Sequence, residues 1–156
     1  MSDVLTVRLL GAGDETVLDC VSPDVFDDPI RPRRLREFLR DDRHHLAVAL
    51  DGELVVGMAS AVHYVHPDKE PELWINEVGV APSHEGRGVG RRLLKALFGH
   101  GRELGCGEAW VMTGEDNAPA RRMYAAVGGH ESRAMYITFD LSPASEGKTG
   151  SKDGGE

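Results

Sequence analysis

Glu77 stands in the stretch WINEVGV, residues 74–80, a carboxylate inside an otherwise apolar run. A charge placed there is costly unless it is paired or faces a cleft. Glu77 is therefore a candidate proton acceptor, or an anchor for an amine. Directly downstream, VAPSHEGRGVGRRLL places Gly86, Gly88 and Gly90 at alternate positions, with Arg87 between them and Arg91 and Arg92 following. Glycines crowded into a strand-to-helix turn let another group come close to the backbone. The unpaired first amides of the following helix, at the positive end of its dipole, form an anion site. A diphosphate fits that description. The spacing is not that of a P-loop, which ends in GK[ST], nor of the dinucleotide fingerprint, whose third glycine is replaced by Arg91.

Two further groups could take part in chemistry. Tyr124 carries a hydroxyl on a stretch otherwise apolar at Ala120, Met123 and Val127, so it is either a core tyrosine or a proton donor. Asp19, Asp24, Asp27 and Asp28 cluster around an irregular, proline-bearing segment, suited to a wall facing ammonium groups. Neither close pair of histidines is expected to converge. His63 and His66 would point to opposite faces of a strand end, as would the neighbours His44 and His45, so no metal site is expected. No Ser-His-Asp or Cys-His arrangement stands out either.

The elements that must position these groups can be read from periodicity. Residues 4–10 (VLTVRLL) read as a strand, and PRRLREFLRD as a short amphipathic helix through Leu35, Phe38 and Leu39. HHLAVAL and ELVVGMASAVHYVH flank Asp51 and Gly52 as a hairpin. ELWINEVGV is a third strand of that meander, and simple alternation puts Leu73, Ile75 and Glu77 on one face. From Gly88 to near Gly105, Val89, Leu93, Leu94, Leu97 and Phe98 follow a helical period. CGEAWVMT is a strand. DNAPARRMYAAVGG is a helix that opens near Asn117 and Pro119 and stops at Gly128 and Gly129. RAMYITFDL is expected as the last strand. The expectation is one mixed α/β (α+β) domain over residues 1–141, with a mainly antiparallel central sheet flanked by helices, then a disordered tail over residues 142–156.

Composition narrows the partners. The 156 residues carry a net charge of −8, which argues against nucleic acid and suits a cationic ligand. No apolar run approaches the roughly 18 residues of a membrane span. MSDVLTVRLL lacks a basic region followed by an apolar one, and Cys20 and Cys106 are far apart. A cytoplasmic protein with two reduced thiols is expected.

VGVAPSHEGRGVGRRLL followed by a strand and then NAPARRMYAAVGG resembles the GNAT N-acetyltransferase superfamily, over nearly the whole chain. The resemblance implies acetyl-CoA as co-substrate. It implies that the main chain of Val78, Gly79 and Val80 holds the pantetheine arm, and that the loop of Glu85, Gly86, Arg87, Gly88, Val89, Gly90 and Arg91 holds the pyrophosphate. Asn117 would touch the coenzyme and Tyr124 would protonate the departing thiolate. The pattern departs at Glu85, where Gln or Arg is usual. A carboxylate about 6 Å from a phosphate costs about 0.7 kcal/mol in water, and charge-assisted hydrogen bonds of roughly 1.5–3 kcal/mol each outweigh it. Coenzyme binding is expected to survive.

Within the superfamily the chain resembles the type I aminoglycoside 3-N-acetyltransferases, through Glu77, His84 and the run Val25, Phe26, Asp27. The reading that follows is direct acetyl transfer to the 3-amino group of an aminoglycoside, with Glu77 as base or amine anchor and Asp27, Asp28 and Glu77 facing the acceptor. Another amine (a polyamine, an amino-acid derivative, a protein amine) or a non-catalytic acyl-CoA-binding domain are the alternatives. The resemblance also allows a homodimer, with RAMYITFDL as a contact strand.

Overall fold

A computed structural model describes residues 4–144. Five strands form one sheet in chain order: β1 (Leu5–Leu10), β2 (His44–Asp51), β3 (Leu54–Tyr64), β4 (Glu72–Val80) and β5 (Glu108–Trp110). The first four pair antiparallel, and β5 joins β4 in parallel. Three α-helices accompany them: α1 (Pro32–Arg40), α2 (Val89–Glu103) and α3 (Ala118–Ala126). Short 3-10 helices occupy Glu15–Asp19 and Pro82–His84. The expected mixed, mainly antiparallel sheet with flanking helices is the fold observed. Among the described residues no helix is long and apolar enough to cross a membrane.

The core follows from strand alternation. Gly57, Ala59, Ala61, Leu73 and Ile75 turn to the face covered by α2, which brings Leu93, Leu94 and Leu97, all buried. Two glycines set how closely the helix sits. A Cβ on Gly57 would lie 2.9 Å from Val89 Cγ1, and one on Gly101 would lie 3.0 Å from Leu73 Cδ2. Close packing leaves no room for either. On the opposite face, Leu46, Val48 and Met58 share the core with Leu18, Val25 and Leu39.

Two irregularities shift the faces. Between Ala49 and Leu50 the pairing of β2 with β3 slips by one residue. In β4, Ser60 pairs with Glu77 but Ala61 pairs with Ile75, so Asn76 is an extra residue, a bulge. The bulge reverses the expected alternation. Glu77 does not share a face with Leu73 and Ile75; it lies opposite Ser60, on the face turned away from α2.

The last expected strand is a correction. RAMYITFDL joins no sheet among the described residues: residues 129–144 have no regular structure and are exposed. Its apolar residues find no neighbouring element to pair with. CGEAWVMT is likewise a strand only over Glu108–Trp110. The tail expected at residues 142–156 falls mostly outside the described residues.

Candidate active site on the splayed strand

The site is built where β4 and β5 part. Their pairing ends at Trp74 with Trp110, whose rings stack with centroids 5.4 Å apart. The Trp110 indole N–H donates to Tyr64 Oη at 2.7 Å, fixing this last pair. The bulge at Asn76 comes next, and from there to Val80 the β5-facing edge of β4 has no strand beside it among the described residues. Main-chain donors and acceptors at Val78 and Val80 are thus open to a ligand lying along the edge, whereas those of Gly79, expected to join them, face β3, where Gly79 pairs with Met58. Glu77 is exposed at the start of this open half and makes no side-chain hydrogen bond or ion pair among the described residues. It projects into solvent and has no partner to hold it.

The loop after β4 is held from beneath. Ala81 N–H donates to Val56 O at 2.8 Å. His84, buried, hydrogen-bonds Asp51 through Nε2 at 2.9 Å and Ser83 Oγ through Nδ1 at 2.7 Å. Sequence reasoning placed His84 in the loop but did not foresee this tether to the β2–β3 turn. Beyond it, Gly86 and Gly88 adopt φ of 73° and 74°, the left-handed region that glycine enters without strain. Gly88 is the N-cap of α2 and no side chain caps the helix. The first helical bond is Arg92 N–H to Gly88 O, so the amides of Val89, Gly90 and Arg91 have no acceptor within the helix. Arg87, Arg91 and Arg92 are exposed and in no ion pair among the described residues. Glu85 is exposed at the edge of this cradle.

The three glycines divide their work. A Cβ at Gly86 or Gly88 would meet nothing within 4 Å, so backbone conformation requires them. A Cβ at Gly90 would sit 2.3 Å from Met123 Sδ, so Gly90 admits α3 against α2. This was not legible from the spacing, where all three looked alike.

That contact places Tyr124, next to Met123 on α3, beside the start of α2. Tyr124 is half-buried against the core, and burial pushes its phenol above the ordinary value. It holds its proton at neutral pH and can donate it. Asn117 caps α3: its carboxamide oxygen accepts from Ala120 N–H at 3.3 Å while its nitrogen donates to Thr113 Oγ1 at 3.2 Å.

The acidic segment is pinned across the end of β4. Ser22 N–H donates to Val55 O and Val55 N–H to Cys20 O, both at 2.9 Å. A Cβ at Gly79 would fall 2.2 Å from Val25 O, so the segment runs directly over the splayed strand. By alternation Gly79 shares its face with Glu77. Asp27 and Asp28, two and three residues beyond Val25, are exposed. Asp19 lies in the 3-10 helix, away from this crossing, and Asp24 takes a φ of 67° in the turn before it.

Residues 15–128 match the Acetyltransferase (GNAT) family. The chain is similar to an aminoglycoside N(6')-acetyltransferase type 1 of Stenotrophomonas maltophilia, 33% identical over 129 residues that cover 78% of this chain and 82% of that protein. It is also similar to the streptothricin acetyltransferase of Streptomyces lavendulae, 39% identical over 88 residues, 56% of this chain and 44% of the other. The chain thus spans under half the length of that relative. Its fold matches the aminoglycoside acetyltransferase AAC(6')-Iy, solved with a CoA-linked acetylneamine bisubstrate analogue, at a TM-score of 0.73 over 88% of this chain and 99% of that one, with 21% identity.

Proposed function

We propose, from the premise that the chain belongs to the GNAT acetyltransferase family, that it is an acetyl-CoA-dependent N-acetyltransferase acting directly on a primary amine of a small polycationic acceptor, an aminoglycoside antibiotic. The observation that carries this reading is the parting of β4 from β5 at Trp74, which leaves an open strand edge ending in an uncapped helix N-terminus. These residues fit acetyl-CoA. The open edge at Val78 and Val80 matches an amide-bearing pantetheine arm. Left-handed Gly86 and Gly88, three amides without an acceptor in the helix and three exposed arginines match a pyrophosphate. The bound thioester supplies the acetyl group.

The remaining steps fall to the chain's own side chains. Asp27, Asp28 and Glu77 attract the cationic acceptor in a protein whose net charge is −8. Glu77 takes the ammonium proton, directly or through water, to expose the lone pair that attacks. Tyr124 gives its proton to the sulfur as the carbon–sulfur bond breaks.

Two acceptor positions are in play. The 3-amino group was expected from Glu77, His84 and the run Val25, Phe26, Asp27, but His84 is occupied by Asp51 and Ser83 and does not speak for the acceptor. The Stenotrophomonas relative is named for the 6'-amino group. The test follows thiol release with sisomicin, gentamicin, streptothricin, spermidine and a peptide with a free N-terminus, and locates the product acetyl group by NMR. Turnover of the aminoglycosides is expected, with the spectrum assigning 3 or 6'. Turnover confined to spermidine or the peptide overturns the acceptor class. Thiol release with no acceptor overturns the transferase reading itself.

A further inference from the structure

At the fork where β5 leaves β4 lies a layer of aromatic rings that the hydrophobic core does not use. Tyr64 stands on β3 and Trp110 on β5, so the 2.7 Å hydrogen bond between them spans β4. Trp74, on β4, stacks on Trp110 with 10° between the ring planes. All three are partly exposed, and none packs against the core among the described residues. Tryptophans so placed forgo part of the large burial that their rings could gain. The polar groups of the layer are satisfied: the Trp110 N–H by Tyr64, and Glu72 beside them by His66 and Lys69. What the layer leaves to solvent is ring surface.

The register sets a carboxylate beyond each end of it. Leu73 turns to α2, so Trp74 and its cross-strand neighbours Val62 and Trp110 turn to the opposite face, the face of Glu77. Glu108, two residues before Trp110, shares that face and is exposed. It is level with Glu72, and of the five residues from Glu72 to Glu77 the bulge takes up one. Four steps of about 3.3 Å therefore put Glu108 and Glu77 about 13 Å apart along the sheet, with the rings between them.

We infer that the Trp74–Trp110 pair is the floor of the acceptor subsite and selects a ring-bearing polycation: an amino sugar whose C–H face lies on the indoles while its ammonium groups reach Glu108 at one end and Glu77 at the other. The inference rests on the acetyltransferase reading above for the reaction, and adds the residues that choose the acceptor. A ring face gains dispersion contacts and buried apolar area on an indole. An ammonium group over an indole gains a cation–π attraction, strongest for tryptophan. Only a molecule carrying both rings and cations uses both terms. A linear polyamine has the cations but loses chain entropy when it lies flat, and an uncharged sugar lacks the cations. The position also fits, because Glu77 and the open edge at Val78 and Val80 begin directly past Trp74.

Trp74 and Trp110 are the two tryptophans of the chain, so its indole emission reports on the floor alone. The test titrates the full chain, at saturating CoA, with sisomicin, spermidine and glucose while tryptophan emission is followed. In parallel, thiol release is measured for the natural chain, Trp110→Leu and Trp110→Phe. A saturable emission change is expected with sisomicin, about tenfold weaker binding with spermidine, and none with glucose. Trp110→Leu should raise the KM for sisomicin about tenfold, with kcat and the KM for acetyl-CoA held within about twofold, and Trp110→Phe, which keeps a ring, should recover most of the loss. No emission change with sisomicin overturns the floor; if turnover is nonetheless seen, the transferase reading stands without it. An emission change without turnover keeps the floor and overturns transfer to this acceptor. Equal responses to sisomicin and spermidine overturn the inference, as does a Trp110→Leu variant that leaves the sisomicin KM unchanged or raises both KM values alike.

Discussion

Glu72 and Glu77 are two carboxylates on one strand, five residues apart, and the bulge at Asn76 brings them to the same face. Their surroundings are opposite. Glu72 lies in the paired half of β4, where it takes hydrogen bonds from His66 and an ion pair from Lys69 at 3.4 Å. Burial opposes its charge, but the His66 and Lys69 contacts outweigh that and hold its pKa below the ordinary value. Glu77 lies in the splayed half and has no hydrogen-bond or ion-pair partner among the described residues. The same division runs through the neighbourhood. At the paired end Trp74, Trp110, Tyr64 and His66 bond or stack on one another. At the open end, amides, arginines and a carboxylate are left unsatisfied. Groups that the fold leaves without partners are those available to a ligand.

The largest expected effect breaks this comparison if it is wrong. Glu77→Gln should lower kcat by about 10²–10³-fold, the scale of a positioned general base. Coenzyme affinity and melting temperature should stay put, since Glu77 supports nothing in the fold. Glu72→Gln should do the reverse, loosening the His66 and Lys69 contacts while leaving kcat near its original value. Steady-state kinetics and melting curves on the two variants decide it. Equal losses of kcat would mean that the halves of β4 are not functionally distinct.

The next effect belongs wholly to the paired end. His45, buried on the α2 face, shares hydrogen bonds with His63 at 2.7 Å and His100 at 3.0 Å. Burial, then the neighbouring imidazoles of His100, His63 and His44, push it down to about 4, with Asp41 opposing. The unfolded chain binds this proton near 6.5 and the folded chain only near 4. Stability is therefore full above pH 6.5 and falls as the pH drops toward 4. The loss is on the order of 2–3 kcal/mol. Urea melts at pH 7 and pH 4.5 should show it, and His45→Leu should flatten the acid limb. An unchanged acid limb in that variant would remove His45 as the cause.

Much of this was legible in the sequence, because periodicity reports burial. The order of strands and helices through α3, the glycine turn opening α2 and the Asn117 cap follow from local chemistry, whereas the open run at Val78 and Val80 was implied only by the family resemblance. What escaped depends on single-residue slips. An unbroken hairpin from Asp51 and Gly52 pairs His45 with Ser60; the slip at Ala49 and Leu50 pairs it with Ala61, on the face of His63 and His100. The slip at Asn76 moves Glu77 in the same way. Alternation cannot reveal a bulge, because one extra residue looks like any other until its partner strand is in place. RAMYITFDL escaped for another reason: alternation gives a segment the pattern of a strand, and does not by itself supply the neighbouring strand it would pair with.

The smallest effects sharpen the division inside the loop itself. Gly88→Ala puts a Cβ on a left-handed residue with open space around it, and the cost is about 1–2 kcal/mol of backbone strain alone. Gly90→Ala keeps an ordinary helical backbone but drives a Cβ into Met123 Sδ, an overpacking of about 1–3 kcal/mol that the flexible thioether can partly relieve. Met123→Ala should therefore rescue Gly90→Ala and do nothing for Gly88→Ala. A double-mutant cycle in melting free energy reads the difference. Coupling between Met123 and Gly90 alone assigns that glycine to the α2–α3 contact and leaves Gly86 and Gly88 to shape the anion cradle. Coupling of Met123 with Gly88 as well would mean that α3 sets the cradle's backbone, and that the open half of the site is held from the side of Tyr124.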